Sequence, residues 1–150
     1  MNIAFGMIVF NGNYVLKECL ESVYEFASQI LISEGPVTYW QEQGHTTSTD
    51  GTNDILHEFY DPDNKIIIEH GQFEEKTDQC NRYIQHMRDD TDYIWNLDSD
   101  ELFKPEDIKL VIQALEDYEF TSVGFKSLSF YGGFDHYLTG FEEDAEFHRI

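Results

Sequence analysis

The sequence predicts an α/β fold: a mostly parallel central sheet flanked by helices, in a single domain over residues 1–150. Three observations carry this reading. Short apolar runs suited to buried strands alternate with stretches whose apolar residues recur at helical spacing. Polar turns rich in Asn, Asp, Gly and Pro separate the two kinds of segment. The 150 residues are 41% hydrophobic and 15% aromatic, enough to pack one core and far from a disordered profile.

The elements follow in order. Ile3 to Phe10 is a continuous apolar run closed by Asn11-Gly12-Asn13, a strand buried on both faces and then a turn. From Tyr14 to Ser28, the residues Val15, Leu16, Cys19, Leu20, Val23 and Ala27 lie on one helical face. Gln29 to Ser33 is a second strand, ending at Glu34-Gly35-Pro36. The irregular stretch from Pro36 to Ser48 is too long for a plain connection and reads as a functional loop or small insertion. A helix opens at Ser48-Thr49-Asp50-Gly51-Thr52, whose hydroxyl and carboxylate groups are expected to cap its free amides, with Ile55, Leu56 and Phe59 inward.

Asp61-Pro62-Asp63-Asn64 turns the chain into a third strand, Lys65 to Glu69. Glu74 to Arg88 predicts a helix with Cys80, Tyr83, Ile84 and Met87 inside, and Tyr93 to Leu97 a fourth strand. Pro105 suits a first helical position, Glu106 and Asp107 suit the positive first turn, and Ile108, Val111, Ile112 and Leu115 form the inner face. Thr121 to Tyr131 reads as a fifth strand, Gly132-Gly133 as a turn and Glu146 to Ile150 as the start of a sixth.

Composition narrows the partners. Thirty acidic residues against 9 Lys and Arg give a formal charge of −21, which repels a phosphate backbone and excludes nucleic acid as a bulk partner. Cys19 and Cys80 fall on apolar helical faces and are expected to be free thiols in a reducing compartment. MNIAFGMIVF lacks the features of a signal peptide, and no apolar run is long enough to span a bilayer. The expectation is a soluble, cytoplasmic protein without a transmembrane segment.

Ligands of parallel sheets lie outside the carboxyl ends of the strands. That places four polar turns on one rim: 11–13, 34–35, 70–76 and 98–101. The fourth turn ends the run YIWNLDSDEL, which delivers Asp98, Asp100 and Glu101 within four positions. Such like charges are either splayed into water or held by a cation. If extended geometry persists, Asp98 and Asp100 share a side and suit a hard divalent cation such as Mg²⁺ or Mn²⁺; the plainer alternative is a solvated strand end that caps the next helix. A calcium loop is excluded, because Phe103 stands where the sharp turn needs glycine and Lys109 where a bidentate Glu is required. Lys76, opening a helix on the rim, suits a phosphate or else pairs with Glu74 or Glu75. Glu34 suits either a nucleobase contact or a solvated strand end, and Asn11 is more often a turn residue than a ligand contact. No serine-hydrolase elbow, Walker loop or dinucleotide fingerprint occurs.

Together these motifs resemble the inverting glycosyltransferases of family 2, with their Rossmann-like glycosyltransferase A fold. Phe10-Asn11-Gly12 and Cys19-Leu20-Glu21-Ser22-Val23 resemble the family's opening turn and helix. Ser48-Thr49-Asp50-Gly51-Thr52 resembles its Ser-x-Asp-Gly-Thr segment, and Asp98-Ser99-Asp100 its Asp-x-Asp metal motif. The resemblance implies a nucleoside-diphosphate-sugar donor bound at Phe10, Asn11, Glu34, Lys76 and Asp98. It implies Mn²⁺ or Mg²⁺ on Asp98 and Asp100, with Asp100 the principal ligand, and a saccharide or other hydroxyl acceptor. It also implies a downstream carboxylate base, for which Asp144 is the candidate, and a chain truncated at its C-terminus relative to a complete enzyme. Two alternatives accompany it: a nucleotide-sugar-binding module without the base, and a sugar-1-phosphate nucleotidyltransferase, which needs a glycine-rich basic loop that FNGNYVLKE does not supply.

Overall fold

The computed structural model describes residues 1–118, 120–140 and 146–150. Asp144, with Glu142 and Glu143, lies outside the described residues. The elements are β1 (Ile3–Val9), α1 (Leu16–Tyr24), β2 (Gln29–Glu34), α2 (Thr38–Gln41), α3 (Thr52–Glu58), β3 (Ile66–His70), α4 (Lys76–Ile84), β4 (Tyr93–Asp98), α5 (Pro105–Asp117), β5 (Gly124–Lys126) and β6 (Glu146–His148). The first four strands form one parallel sheet in the order β3-β2-β1-β4. Its register sets Val9 beside Glu34, Glu34 beside His70, and Ile8 beside Asp98, so all four carboxyl ends share one rim.

Alternation along β1 divides the core. Ile3, Phe5, Met7 and Val9 face Leu16, Cys19, Leu20 and Val23 of α1, Leu56 of α3, and Ile108 and Leu115 of α5. Ala4 and Leu31 face the other way, against Tyr83 of α4. That second face is thin because α4 packs almost on the backbone: a Cβ at Gly6 would sit 2.4 Å from the Tyr83 ring. The phenol then donates to Asn96 Oδ1 at 2.8 Å, tying α4 to β4.

Four elements depart from the sequence expectation. α1 stops at Tyr24 because Phe26 and Ala27 turn back to the Val23 carbonyl and Ser28 N–H already donates to Ile3 O. The inner face of α4 is Gln79 and Tyr83, with Cys80 half-buried and Ile84 and Met87 exposed. Polar anchors set this rotation: Ser33 Oγ donates to Gln79 O, and Gln79 Nε2 donates to Gly35 O, both at 2.9 Å. The fifth strand shrinks to β5, and β5 and β6 form a separate antiparallel pair. Phe125 is the reason: it stacks on Trp95 at 4.9 Å, and Trp95 stacks on Phe5 at 5.2 Å, so β5 docks by its ring instead of extending the sheet. Both cysteines are free, Cys19 buried and Cys80 half-buried. Among the described residues, no helix is long and apolar enough to cross a membrane.

Candidate functional site

A cleft of about 410 Å³ opens on the carboxyl rim. Ile8, Val9 and Phe10 from the end of β1 form its floor, Gly35, Val37 and Trp40 one wall, Lys76 and Gln79 of α4 another, and Asp98, Ser99 and Asp100 the acidic corner. Of the sequence candidates, Phe10, Lys76, Asp98 and Asp100 meet here; Asn11 and Glu34 do not line the cleft.

The acidic corner is a tight turn at the end of β4. Asp98 N–H donates to Glu101 Oε2 at 3.1 Å, and Glu101 N–H returns to Asp98 O at 3.0 Å. Arg149 Nη2 donates to Asp98 Oδ2 at 2.8 Å and also to Glu101 Oε1. Burial raises the Glu101 carboxyl above its ordinary range, against the opposing pull of the Asp98 amide and Arg149. Beneath the turn, the Cys19 thiol donates to Asp98 O at 3.5 Å. Burial, with the charges of Glu101 and Asp100, pushes that thiol far up, so it is a packing group and not a nucleophile.

Asp98 and Asp100 are exposed and offer hard oxygen donors. Among the described residues, no group of three or more His, Cys, Asp or Glu is arranged to hold a metal. A pair of carboxylates still fits Mg²⁺ or Mn²⁺, which keep several ligand positions for water and substrate phosphates. Lys76 is the first residue of α4, exposed, and forms no ion pair among the described residues, so neither Glu74 nor Glu75 claims it.

The turn after β1 is held by the Ser48–Thr52 segment. Asn11 N–H donates to Ser48 Oγ, Gly12 N–H to Thr52 Oγ1, both at 2.9 Å, and Asn13 N–H to Asp50 Oδ2 at 3.1 Å. Asn11 Oδ1 accepts from Thr49 N–H at 2.9 Å, with Asn11 itself at φ 50°. These side chains were expected to cap α3. Asp50 does so, its Oδ1 accepting from the amide of Thr52, the first residue of α3, at 3.0 Å, while Ser48 Oγ, Thr52 Oγ1 and Asp50 Oδ2 are turned onto the β1 turn. Burial alone would raise the Asp50 carboxyl, but hydrogen bonds from the Thr52 hydroxyl and the Asn13 and Thr52 amides outweigh it and hold it below the ordinary range.

Glu34 is buried, with Oε1 accepting from Ser48 N–H at 3.0 Å and Oε2 lying 2.9 Å from His70 Nδ1. Its carboxylate therefore links β2 to β3 and to the Ser48 segment. The preceding stretch supplies an aromatic wall that sequence reasoning did not single out. Trp40 lies 5.9 Å from Phe10 and 5.8 Å from His45, and Tyr39 lies 5.0 Å from Trp40. Gln41 Nε2 anchors this segment by donating to Pro36 O and Phe73 O. The Tyr39-Trp40 pair inside a polar stretch was a visible signal for the wall. Gln79 and Arg149 gave none, because each acts through a neighbour distant in sequence.

The sequence model of glycosyl transferase family 2 matches residues 46–147, which include Lys76, Asp98 and Asp100. Among solved structures, the crystal structure of S. aureus TarS 1–349 superposes with a TM-score of 0.57 at 16% identity, covering 83% of this chain. The superposition covers 34% of the TarS chain, so the present chain spans about a third of its length. That likeness shows the fold. No curated protein matches the sequence.

Proposed function

The chain belongs to glycosyl transferase family 2, and we propose that its cleft binds a nucleoside-diphosphate sugar with a divalent cation and passes the sugar to an acceptor hydroxyl with inversion. The observation that carries this reading is the convergence of Phe10, Lys76, Asp98 and Asp100, far apart in sequence, on one cleft at the carboxyl ends of a parallel sheet.

Each residue then has a task. Asp98 and Asp100 hold Mn²⁺ or Mg²⁺, and when bound the cation neutralises charge on the departing diphosphate. Lys76 adds its ammonium, and the start of α4 its free amides, on the phosphate side. Phe10 and Trp40 present flat apolar surface to the nucleobase. Glu34, engaged with Ser48 and His70, holds the walls together and reaches the base only through them.

The acceptor proton needs a carboxylate base as the sugar passes through an oxocarbenium-like state. Asp144 is the proposed base; Asp144→Asn is expected to abolish transfer while leaving donor affinity unchanged. A second reading, a donor-binding module without turnover, is favoured by one observation: among the described residues, the only carboxylates lining the cleft are the pair assigned to the cation. Turnover of donor by this chain excludes it. The donor site itself is tested by calorimetric titration with nucleoside diphosphates with and without Mn²⁺. Binding strengthened by Mn²⁺ is expected, and no binding under either condition sinks the proposal.

A further inference from the structure

Three carboxylates within four positions repel one another, yet the turn from Asp98 to Glu101 closes on itself through one backbone hydrogen bond and one from the Asp98 amide to the Glu101 carboxylate. A charge of opposite sign is already present. One nitrogen of Arg149 donates to Asp98 Oδ2 at 2.8 Å and to Glu101 Oε1. Only 17% of the Arg149 side chain and 22% of that of Glu101 are exposed, so the guanidinium is seated on a sheltered carboxylate and reaches from there to the half-exposed Asp98. Its backbone is fixed as well: Asn96 N–H on β4 donates to Arg149 O at 2.6 Å, and Arg149 N–H donates to Val123 O at 3.1 Å. Asp98 lines the cleft and Arg149 does not.

Resting on the reading of Asp98 and Asp100 as cation ligands, we infer that Arg149 is a built-in counter-ion of that corner: it holds Asp98 and Glu101 in place before a divalent cation arrives and limits the corner's affinity for the bare ion. The physical reason is that a unit positive charge hydrogen-bonded to a shared ligand opposes a second cation on the same carboxylate, more so where water is partly excluded. A diphosphate adds negative charge on the cleft side and offsets this opposition. The corner therefore favours cation and diphosphate together over the cation alone. Arg149 is in this sense a positioning residue, acting through Asp98.

The test titrates the full chain with Mn²⁺ alone, reading free ion by electron paramagnetic resonance, with folding checked by circular dichroism. Arg149→Gln is expected to bind bare Mn²⁺ about tenfold more tightly than wild type, because the corner then carries an uncompensated charge. Glu101→Gln is expected to bind it several-fold more weakly, because Arg149 then neutralises Asp98 alone. Should Arg149→Gln fail to fold, the Glu101→Gln result still decides the sign. Unchanged Mn²⁺ affinity in Glu101→Gln, or unchanged or weaker affinity in a folded Arg149→Gln, overturns the inference. If wild type still binds Mn²⁺ with a nucleoside diphosphate in that case, only the counter-ion role has failed. If wild type binds no Mn²⁺ in either setting, the metal reading has failed and this inference with it.

Discussion

Asp100 stands apart from its two acidic neighbours. Arg149 holds Asp98 and Glu101, whereas Asp100 is exposed and meets no donor side chain among the described residues. Its loss should therefore cost function and not fold. Asp100→Asn is expected to weaken Mn²⁺-assisted nucleoside-diphosphate binding by tenfold or more in calorimetry, with an equal or higher melting temperature, because removing one clustered charge relieves repulsion. A variant that unfolds with unchanged affinity would make the cluster structural. Asp50 has the opposite character. Its carboxyl is held below the ordinary 3.8, so its stabilising contribution is complete above that value and is lost as pH falls through the lower folded value. Asp50→Asn should flatten the fall of unfolding free energy below about pH 4, measured by urea denaturation at several pH values; an unaltered slope would remove Asp50 from acid unfolding. Sequence alone identified both residues and the Asp50 contact to the start of α3, but not its second bond to the Asn13 amide, since a helix cap and a clamp on the β1 turn need the same side-chain chemistry.

Among the elements, the long apolar runs were the most legible. β1 through β4 and the inner face of α5 match the expected segments closely. An apolar run bounded by polar turns leaves few alternative readings, whether both faces are buried, as in β1 and β2, or only partly so, as in β3 and β4. The inner face of α4 was misread because Ile84 and Met87 look apolar, while the buried position belongs to Gln79, whose partners Ser33 and Gly35 lie on another element. The stretch 36–47 was legible only as something larger than a connection. Its short helix α2 is held by Gln41 against the β3–α4 loop, and Val37 bridges to Phe73. Trp40 is thus placed on the cleft by a segment with its own anchors. Trp40→Ala is expected to weaken donor binding by about 1–3 kcal/mol, the range of aromatic–base stacking. Stability should change little, since Trp40 is 39% exposed. Equal affinity for nucleotides with unrelated bases in wild type and variant alike, with no loss on substitution, would show that the wall does not touch the base.

At the scale of the whole molecule, the parallel sheet and its rim follow from the order of elements, whereas the approach of Arg149 to Asp98 does not. It depends on Phe125 stacking against Trp95, a contact between elements separated by α5 and its two short connections. The same distance hides how the charge is managed. With 30 acidic residues against 9 Lys and Arg, carboxylates outnumber the permanent cations more than threefold. Several of the basic groups are concentrated on few sites: Arg149 on Asp98 and Glu101, Arg82 and His86 on Glu69. The remaining carboxylates repel one another across the surface, and compaction brings them closer. Screening must then stabilise the fold more by weakening repulsion than it destabilises by weakening these few pairs. The melting temperature should rise between about 0.05 and about 0.5 M NaCl and level off as the Debye length shrinks to about 4 Å. A linear rise without levelling would indicate a general solvation effect of salt instead. A flat or falling curve would mean that the local pairs outweigh the net charge, and that the acidic surface is not a burden on folding.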